Sequence, residues 1–168
     1  NGFKVYWQSG EQLTPPHDQK IIAYYNRIKD YKDLSFIPYE KACKQKLISQ
    51  IGSSLDDDYF ESLKKLSLFN GEKNLKIVYT PLHGTGIYAV PRALKSFGFE
   101  NIHIVEEQAT PDGLFPTVKS PNPENPENLD IAVEYAKRIE ADIVLATDPD
   151  ADRVALVIRE DTNWKTFN

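Results

Sequence analysis

Asp142-Ile-Val-Leu-Ala-Thr-Asp-Pro-Asp-Ala-Asp-Arg-Val-Ala-Leu-Val-Ile158 is the stretch that decides the fold. Its centre, Ala146–Arg153, sets three carboxylates at alternate positions: Asp148, Asp150 and Asp152. The run Asp142–Ala146 reads as a buried strand, and Val154–Ile158 reads as another. An acidic loop therefore lies between two apolar strands, at the C-terminal end of the first. In an open α/β sheet, that edge is where ligands bind. Three aspartate oxygens from one tight loop make a hard, anionic pocket suited to Mg²⁺, leaving one or two positions for water or a phosphate oxygen. Crowding the three should raise the proton affinity of at least one. Pro149 limits the backbone freedom of the loop. Arg153 adds a cation whose fork matches phosphate or carboxylate. A solvated acidic turn with a structural ion pair is the alternative, and the strand flanks and adjoining arginine weigh against it.

Working outward, residues 127–139 form an amphipathic helix, with Leu129, Ala132, Val133, Ala136 and Ile139 on one stripe. Further upstream, residues 76–79 and 101–105 read as strands. Between them a helix places Val90, Leu94 and Phe97 on one face and stops at Gly98. This alternation predicts a three-layer α/β/α domain over residues 45–168. Its sheet is mixed and mostly parallel, with an antiparallel strand after the acidic loop. His83-Gly-Thr-Gly86 is a small-residue turn into the first of these helices. It matches neither the dinucleotide nor the Walker glycine pattern. His83 faces the loop side and is expected to orient neighbours rather than react. His103 alternates with apolar residues, as a half-buried strand residue does. Residues 106–126 form a long loop with prolines at 111, 116, 121, 123 and 126, and loops of this length are usually functional or disordered. Residues 160–168 suggest a hairpin turn.

Towards the N-terminus, Ser53-Ser54 followed by Asp56-Asp57-Asp58 marks a helix start. Consecutive residues point around a helix, so these three aspartates cannot converge on one ion. Tyr59, Phe60, Leu63 and Leu66 are expected to form that helix's buried face. A short strand is expected over residues 46–51. Residues 30–42 read as an irregular linker containing the domain boundary, with residues 1–40 belonging to a preceding domain. A helix starts at Pro15-Pro-His-Asp18, with Ile21, Tyr24, Tyr25 and Ile28 on its apolar face. His17 has no ligand-type partner beyond Asp18 and reads as structural. Residues 3–7 are strand-like.

The 168 residues are 40% apolar with a net charge of −5. No basic patch is present, which argues against nucleic acid as a partner. No apolar run is long enough to span a membrane. The single cysteine, Cys43, leaves no intramolecular disulfide and fits a reducing, cytoplasmic setting. The chain starts at Asn1 and contains no methionine, which suggests a piece of a longer protein.

Thr147-Asp-Pro-Asp-Ala-Asp-Arg153 resembles the metal-binding loop of the α-D-phosphohexomutase superfamily, the phosphoglucomutases and phosphomannomutases. Tyr79-Thr-Pro-Leu-His-Gly-Thr-Gly86, Pro111-Asp-Gly-Leu-Phe-Pro-Thr-Val-Lys-Ser-Pro-Asn-Pro123 and Asn1-Gly-Phe-Lys-Val-Tyr-Trp7 extend the resemblance, in the family's order. The pattern is most similar to bacterial phosphoglucomutases that share it with animal phosphopentomutases. The resemblance implies an enzyme that moves phosphate between the 1- and 6-positions of a hexose, through a phosphoserine and a bisphosphate intermediate. It implies Mg²⁺ on Asp148, Asp150 and Asp152, with Arg153 steadying phosphate or an aspartate. Lys4 falls on the family's active-site lysine, a candidate general acid/base. The family's catalytic serine lies in a Ser-His-Asn-Pro motif upstream of Asn-Gly-x-Lys, and its sugar and phosphate loops lie further downstream. The expected partners are a phosphosugar and the N- and C-terminal domains of the same chain. On this reading the piece is inactive alone. Phosphomannomutase or phosphopentomutase activity, a non-enzymatic metal-binding module, and a purely structural domain remain as alternatives.

Overall fold

The computed structural model describes residues 4–161 and 163–167. The chain divides into two compact units, with the break after Ile51.

In the first unit, the Leu13 N–H donates to the Val5 carbonyl at 2.8 Å, and Tyr6 bridges Gln12 in antiparallel fashion. The strand expected over residues 3–7 is reduced to this bridge, and Phe3 lies outside the described residues. Helix α1 spans His17–Tyr25. His17 stands edge-on to Trp7, with ring centroids 5.2 Å apart. The expected linker is more ordered than its sequence suggests. Asp30 caps a 3₁₀ turn over Tyr31–Asp33 by accepting from the Lys32 N–H at 3.0 Å. Pro38 then precedes α2, Tyr39–Lys44, since proline suits the entry to a helix better than its interior. No strand forms over residues 46–51. Lys46 has a left-handed φ of 56°, which breaks the extended run, and Leu47 and Ile51 are exposed.

The second unit opens with α3, Ser53–Lys64. Of its expected apolar face, Phe60 is buried while Tyr59 and Leu66 are exposed. The helix packs on α4, where the Arg92 guanidinium lies 4.3 Å from the Phe60 ring centroid and pairs with Asp57.

The sheet uses β1 (Ile77–Thr80), β2 (Ile102–Ile104), β3 (Ile143–Thr147), β4 (Val154–Glu160) and β5 (Asn163–Phe167) in the order β2-β1-β3-β4-β5. Both neighbours of β1 run parallel to it, whereas β4 is antiparallel to β3 and to β5. Four strands thus point one way and β4 alone points back. Helix α4, Gly86–Ser96, connects β1 to β2. Helix α5, Asp130–Ile139, connects β2 to β3. The first crossover moves one way along the sheet, from β1 to β2, and the second moves back past β1 to β3. Because such connections are right-handed, they lay the two helices on opposite faces, which makes three layers. Strand alternation fills them. Val78, Val144, Ala146, Ala155 and Val157 face α5 and pack with Leu129, Ala132 and Ala136. Tyr79 and Thr147 lie on the other face, under Gly86 of α4.

Both crossover helices stop in the same way. The Gly98 and Phe99 N–H groups bond back to Lys95 and Leu94, and those of Glu140 and Ala141 to Lys137 and Ala136. This is the Schellman pairing. Gly98 takes the left-handed position at φ 94°, and Glu140 does so at 55°. At the base of the sheet, the Asp142 carboxylate accepts from the Lys76 N–H at 2.8 Å, holding the starts of β1 and β3 together. The loop ends of the same two strands therefore open side by side at the point where strand order reverses.

Leu129 is 1% exposed and Leu68 is 98% exposed. Leu129→Ala should cost about 3 kcal/mol in urea unfolding, while Leu68→Ala should stay within about 0.5 kcal/mol. Equal losses would contradict this assignment of the core.

Candidate metal centre

The loop from Asp148 to Arg153 leaves β3 and returns as β4, and its two ends are bonded to each other. The Asp148 N–H donates to the Arg153 carbonyl at 3.4 Å, and the Arg153 N–H donates to Asp148 Oδ1 at 3.1 Å. Arg153 Nε donates to Asp148 Oδ2 at 2.8 Å. Within the loop, the Ala151 N–H donates to the Asp148 carbonyl at 3.0 Å, and Ala151 has a left-handed φ of 59°. This tight turn brings the acidic side chains together. One carboxylate oxygen from each of Asp148, Asp150 and Asp152 lies within 4.8 Å of the other two.

The three carboxylates are not equivalent. Asp148 is 1% exposed, whereas Asp150 and Asp152 face solvent. Burial pushes the Asp148 carboxyl up, but the hydrogen bonds and charge of Arg153 outweigh it and hold the group below its ordinary value of 3.8. Asp152 moves the other way. The charges of Asp150, and then of Asp148, raise it above 3.8. Arg153 is raised further above its already high value, first by its hydrogen bond to Asp148, with Glu124 and Asp152 adding negative charge. Glu124 belongs to the proline-rich loop, so that loop contributes to the field at Arg153.

The donor set fits a hard divalent cation. Mg²⁺ ligands stand about 2.1 Å from the ion, and so about 3 Å from their neighbours. Asp148, Asp150 and Asp152 would hold such an ion, Asp148 from its place against Arg153 and the other two from exposed positions.

The turn after β1 is pressed against this loop. Leu82 and His83 have left-handed φ values of 46° and 61°. The Gly84 N–H donates to the Pro81 carbonyl at 2.8 Å. This is the pattern of a type I′ turn. A Cβ on Gly84 would lie 2.7 Å from the Pro149 carbonyl oxygen, so only glycine allows the approach. The Thr85 N–H and Oγ1 both donate to that carbonyl, at 2.8 and 2.9 Å. Beneath the loop, the Tyr79 hydroxyl bonds Thr147 Oγ1 at 2.8 Å. Burial pushes the phenol up to about 12, against the opposing effect of that bond. A Cβ on Gly86 would lie 2.7 Å from Thr147 Oγ1.

His83 is 4% exposed, and its ring ties the proline-rich loop to the β1 turn. Nδ1 lies 3.2 Å from the Thr110 carbonyl, which can only accept, so this nitrogen carries the proton. Nε2 then accepts from Thr117 Oγ1 at 2.9 Å. The Thr117 hydroxyl accepts from Gln108 Nε2 at 2.9 Å, and Gln108 Oε1 accepts from Thr80 Oγ1 at 2.6 Å. The loop of residues 106–126 is therefore anchored by a continuous chain of hydrogen bonds from Thr110 to Thr80.

The structure brings Asp148, Asp150, Asp152 and Arg153 together, with Arg153 on an aspartate. Lys4 is exposed in the first unit. The parts that sequence reasoning missed are Thr85, the Tyr79–Thr147 pair and the Gln108–Thr117 chain. A threonine between two glycines, Gly84-Thr-Gly86, was the available signal for the first.

Residues 57–161 match the family model described as phosphoglucomutase/phosphomannomutase, alpha/beta/alpha domain II. The chain belongs to the phosphoglucomutase/phosphomannomutase family. Human glucose 1,6-bisphosphate synthase is 37% identical over 99% of this chain, and mouse phosphopentomutase is 37% identical over all of it. A phosphoglucomutase from Staphylococcus haemolyticus is 36% identical over 99%. This family chain spans only 28–30% of the length of those relatives. A crystal structure of a phosphoglucomutase/phosphomannomutase family protein from Burkholderia thailandensis superposes with a TM-score of 0.51 at 30% identity, covering 62% of this chain and 21% of that one.

The opposite shifts predict opposite pH effects in metal-free buffer. A depressed carboxylate contributes stability above its unfolded value and loses it as pH falls through the folded value. A raised one contributes below its unfolded value and loses it as pH rises through the folded value. Asp148→Asn should therefore lower the thermal midpoint at neutral pH by about 2–4 °C, with the gap closing in strong acid. Asp152→Asn should raise the midpoint at neutral pH and not in strong acid. Melts in chelator across that range check both signs.

Proposed function

We propose that this chain carries the metal platform of a Mg²⁺-dependent phosphoglucomutase that interconverts glucose 1-phosphate and glucose 6-phosphate. The observation that carries the reading is the convergence of three aspartate oxygens within 4.8 Å on the loop after β3. That loop lies where strand order reverses, the usual ligand edge of such sheets. The family assignment supplies the reaction class, intramolecular phosphate transfer.

In this reading Asp148, Asp150 and Asp152 hold the ion, which when bound supplies a Lewis acid that offsets charge on the transferring phosphoryl group. Arg153 keeps Asp148 deprotonated and aimed. A phosphoserine outside this stretch gives its phosphoryl group to the free hydroxyl of the sugar phosphate, forming a bisphosphate and free serine. The serine then takes back the other phosphoryl group. Lys4 takes the proton of the attacking hydroxyl and hands it to the departing serine oxygen, and in the second transfer it moves the serine proton to the sugar oxygen that is released. The protein is cytoplasmic on this reading. Cys43 is a free thiol, and among the described residues no helix is long and apolar enough to cross a membrane. A pentose phosphate is the competing substrate, since the mouse phosphopentomutase is as similar to this chain as the bacterial phosphoglucomutase is.

Titration with Mn²⁺ should reveal one site in this chain, and Asp150→Asn should abolish it. Unchanged binding in that variant would sink the metal assignment. The 168-residue chain alone should show no conversion of glucose 1-phosphate to glucose 6-phosphate. Robust turnover from it would overturn the division of labour proposed here.

A further inference from the structure

We propose that Thr85 is a positioning residue for the metal loop, acting through the carbonyl of Pro149. The inference rests on the metal reading above. Each aspartate of the loop is held differently. Asp148 is held directly by Arg153. Asp152 is exposed, next in sequence to that arginine. Among the described residues no hydrogen bond or ion pair holds the Asp150 carboxylate, so its direction depends on the peptide that precedes it. The Pro149 ring fixes φ on one side of that residue. On the other side, the Pro149 carbonyl receives two bonds from one residue, the Thr85 N–H at 2.8 Å and the Thr85 Oγ1 at 2.9 Å. Two donors converging on one oxygen fix the plane of the peptide between Pro149 and Asp150, and hence the exit direction of the Asp150 side chain.

Two further observations fit a positioning role. Gly84 brings the turn so close that a Cβ would lie 2.8 Å from the Pro149 carbonyl carbon, so the turn is built to reach this peptide. Thr85 itself is exposed, and its hydroxyl fills no core space. Losing that hydroxyl should change loop geometry with little effect on folding.

The test compares Thr85→Val, which keeps the shape and loses the donor, with Thr85→Ser, which keeps the donor. Mn²⁺ affinity is read from the electron paramagnetic resonance signal of the free ion, and thermal midpoints are measured in chelator. Partners that orient metal ligands are commonly worth 10–100-fold in affinity. Thr85→Val should weaken Mn²⁺ binding roughly tenfold, Thr85→Ser should bind like the parent, and the metal-free midpoints should agree within about 2 °C. Parent-like binding in Thr85→Val, or equal weakening in Thr85→Ser, would overturn the proposal while leaving the metal reading intact if Asp150→Asn still abolishes binding. Binding that survives Asp150→Asn would overturn both.

Discussion

Three carboxylates confined within 4.8 Å of one another repel, and the second unit is arranged to withstand that repulsion. A buried aspartate would ordinarily gain a proton and surrender its charge. Asp148 keeps its charge because Arg153 meets both of its oxygens, one through the backbone and one through the guanidinium. The unrelieved part of the repulsion appears on Asp152, which is solvent-facing and has its proton affinity raised by its two acidic neighbours. The asymmetry is useful to a metal site. A metal bound as proposed would meet Asp148 already charged and held by Arg153, with Asp150 and Asp152 on the exposed side of the loop.

The position of the site follows from the topology. Parallel neighbours on both sides of β1 are reached by two crossovers that run in opposite directions along the sheet. The loops after β1 and β3 are then not covered by a shared helix and can meet. Their meeting demands the absence of side chains, and Gly84 and Gly86 provide it, one against Pro149 and the other over the Tyr79–Thr147 pair. A chain with alanine at either position would have to push the turn away from the acidic loop.

Much of the second unit was legible in the sequence, because its signals are local. The apolar runs of β1 and β3, the apolar stripe of α5, the glycine stop of α4 and the spacing of three aspartates each depend on a few neighbouring residues. The failures came where the outcome depended on partners distant in sequence. Leu47, Ile48 and Ile51 suggested a strand, but Lys46 turns left-handed and the three apolar side chains are exposed. Tyr59 and Leu66 suggested a buried face, but α3 packs on α4 around Phe60. The Thr85 bonds to Pro149 span 64 positions, and nothing near Thr85 predicts them. The anchoring of the proline-rich loop was equally hidden, since it rests on His83, Gln108 and Thr117, three residues whose polar side chains would suit a surface just as well.

The two units differ in what organises them, and this bears on which parts of the chemistry each can hold in place. The second unit buries a continuous set of side chains between β-sheet and α5, from Val78 to Val157, and its acidic loop is fastened to that frame at both ends. Among the described residues of the first unit, Ala42 is the one buried apolar side chain, while Tyr24, Tyr25 and Phe36 are all more than half exposed. A segment of about 50 residues without a core has little to set against its conformational entropy. Metal binding asks for a rigid loop, which the second unit supplies through its own bonds. Proton transfer by Lys4, as proposed, asks for placement within hydrogen-bond reach of a reacting hydroxyl, and among the described residues of the first unit no hydrogen bond or ion pair fixes that exposed side chain. The electrostatic half of the proposed chemistry is therefore built locally, whereas the acid–base half depends on contacts made by the whole protein.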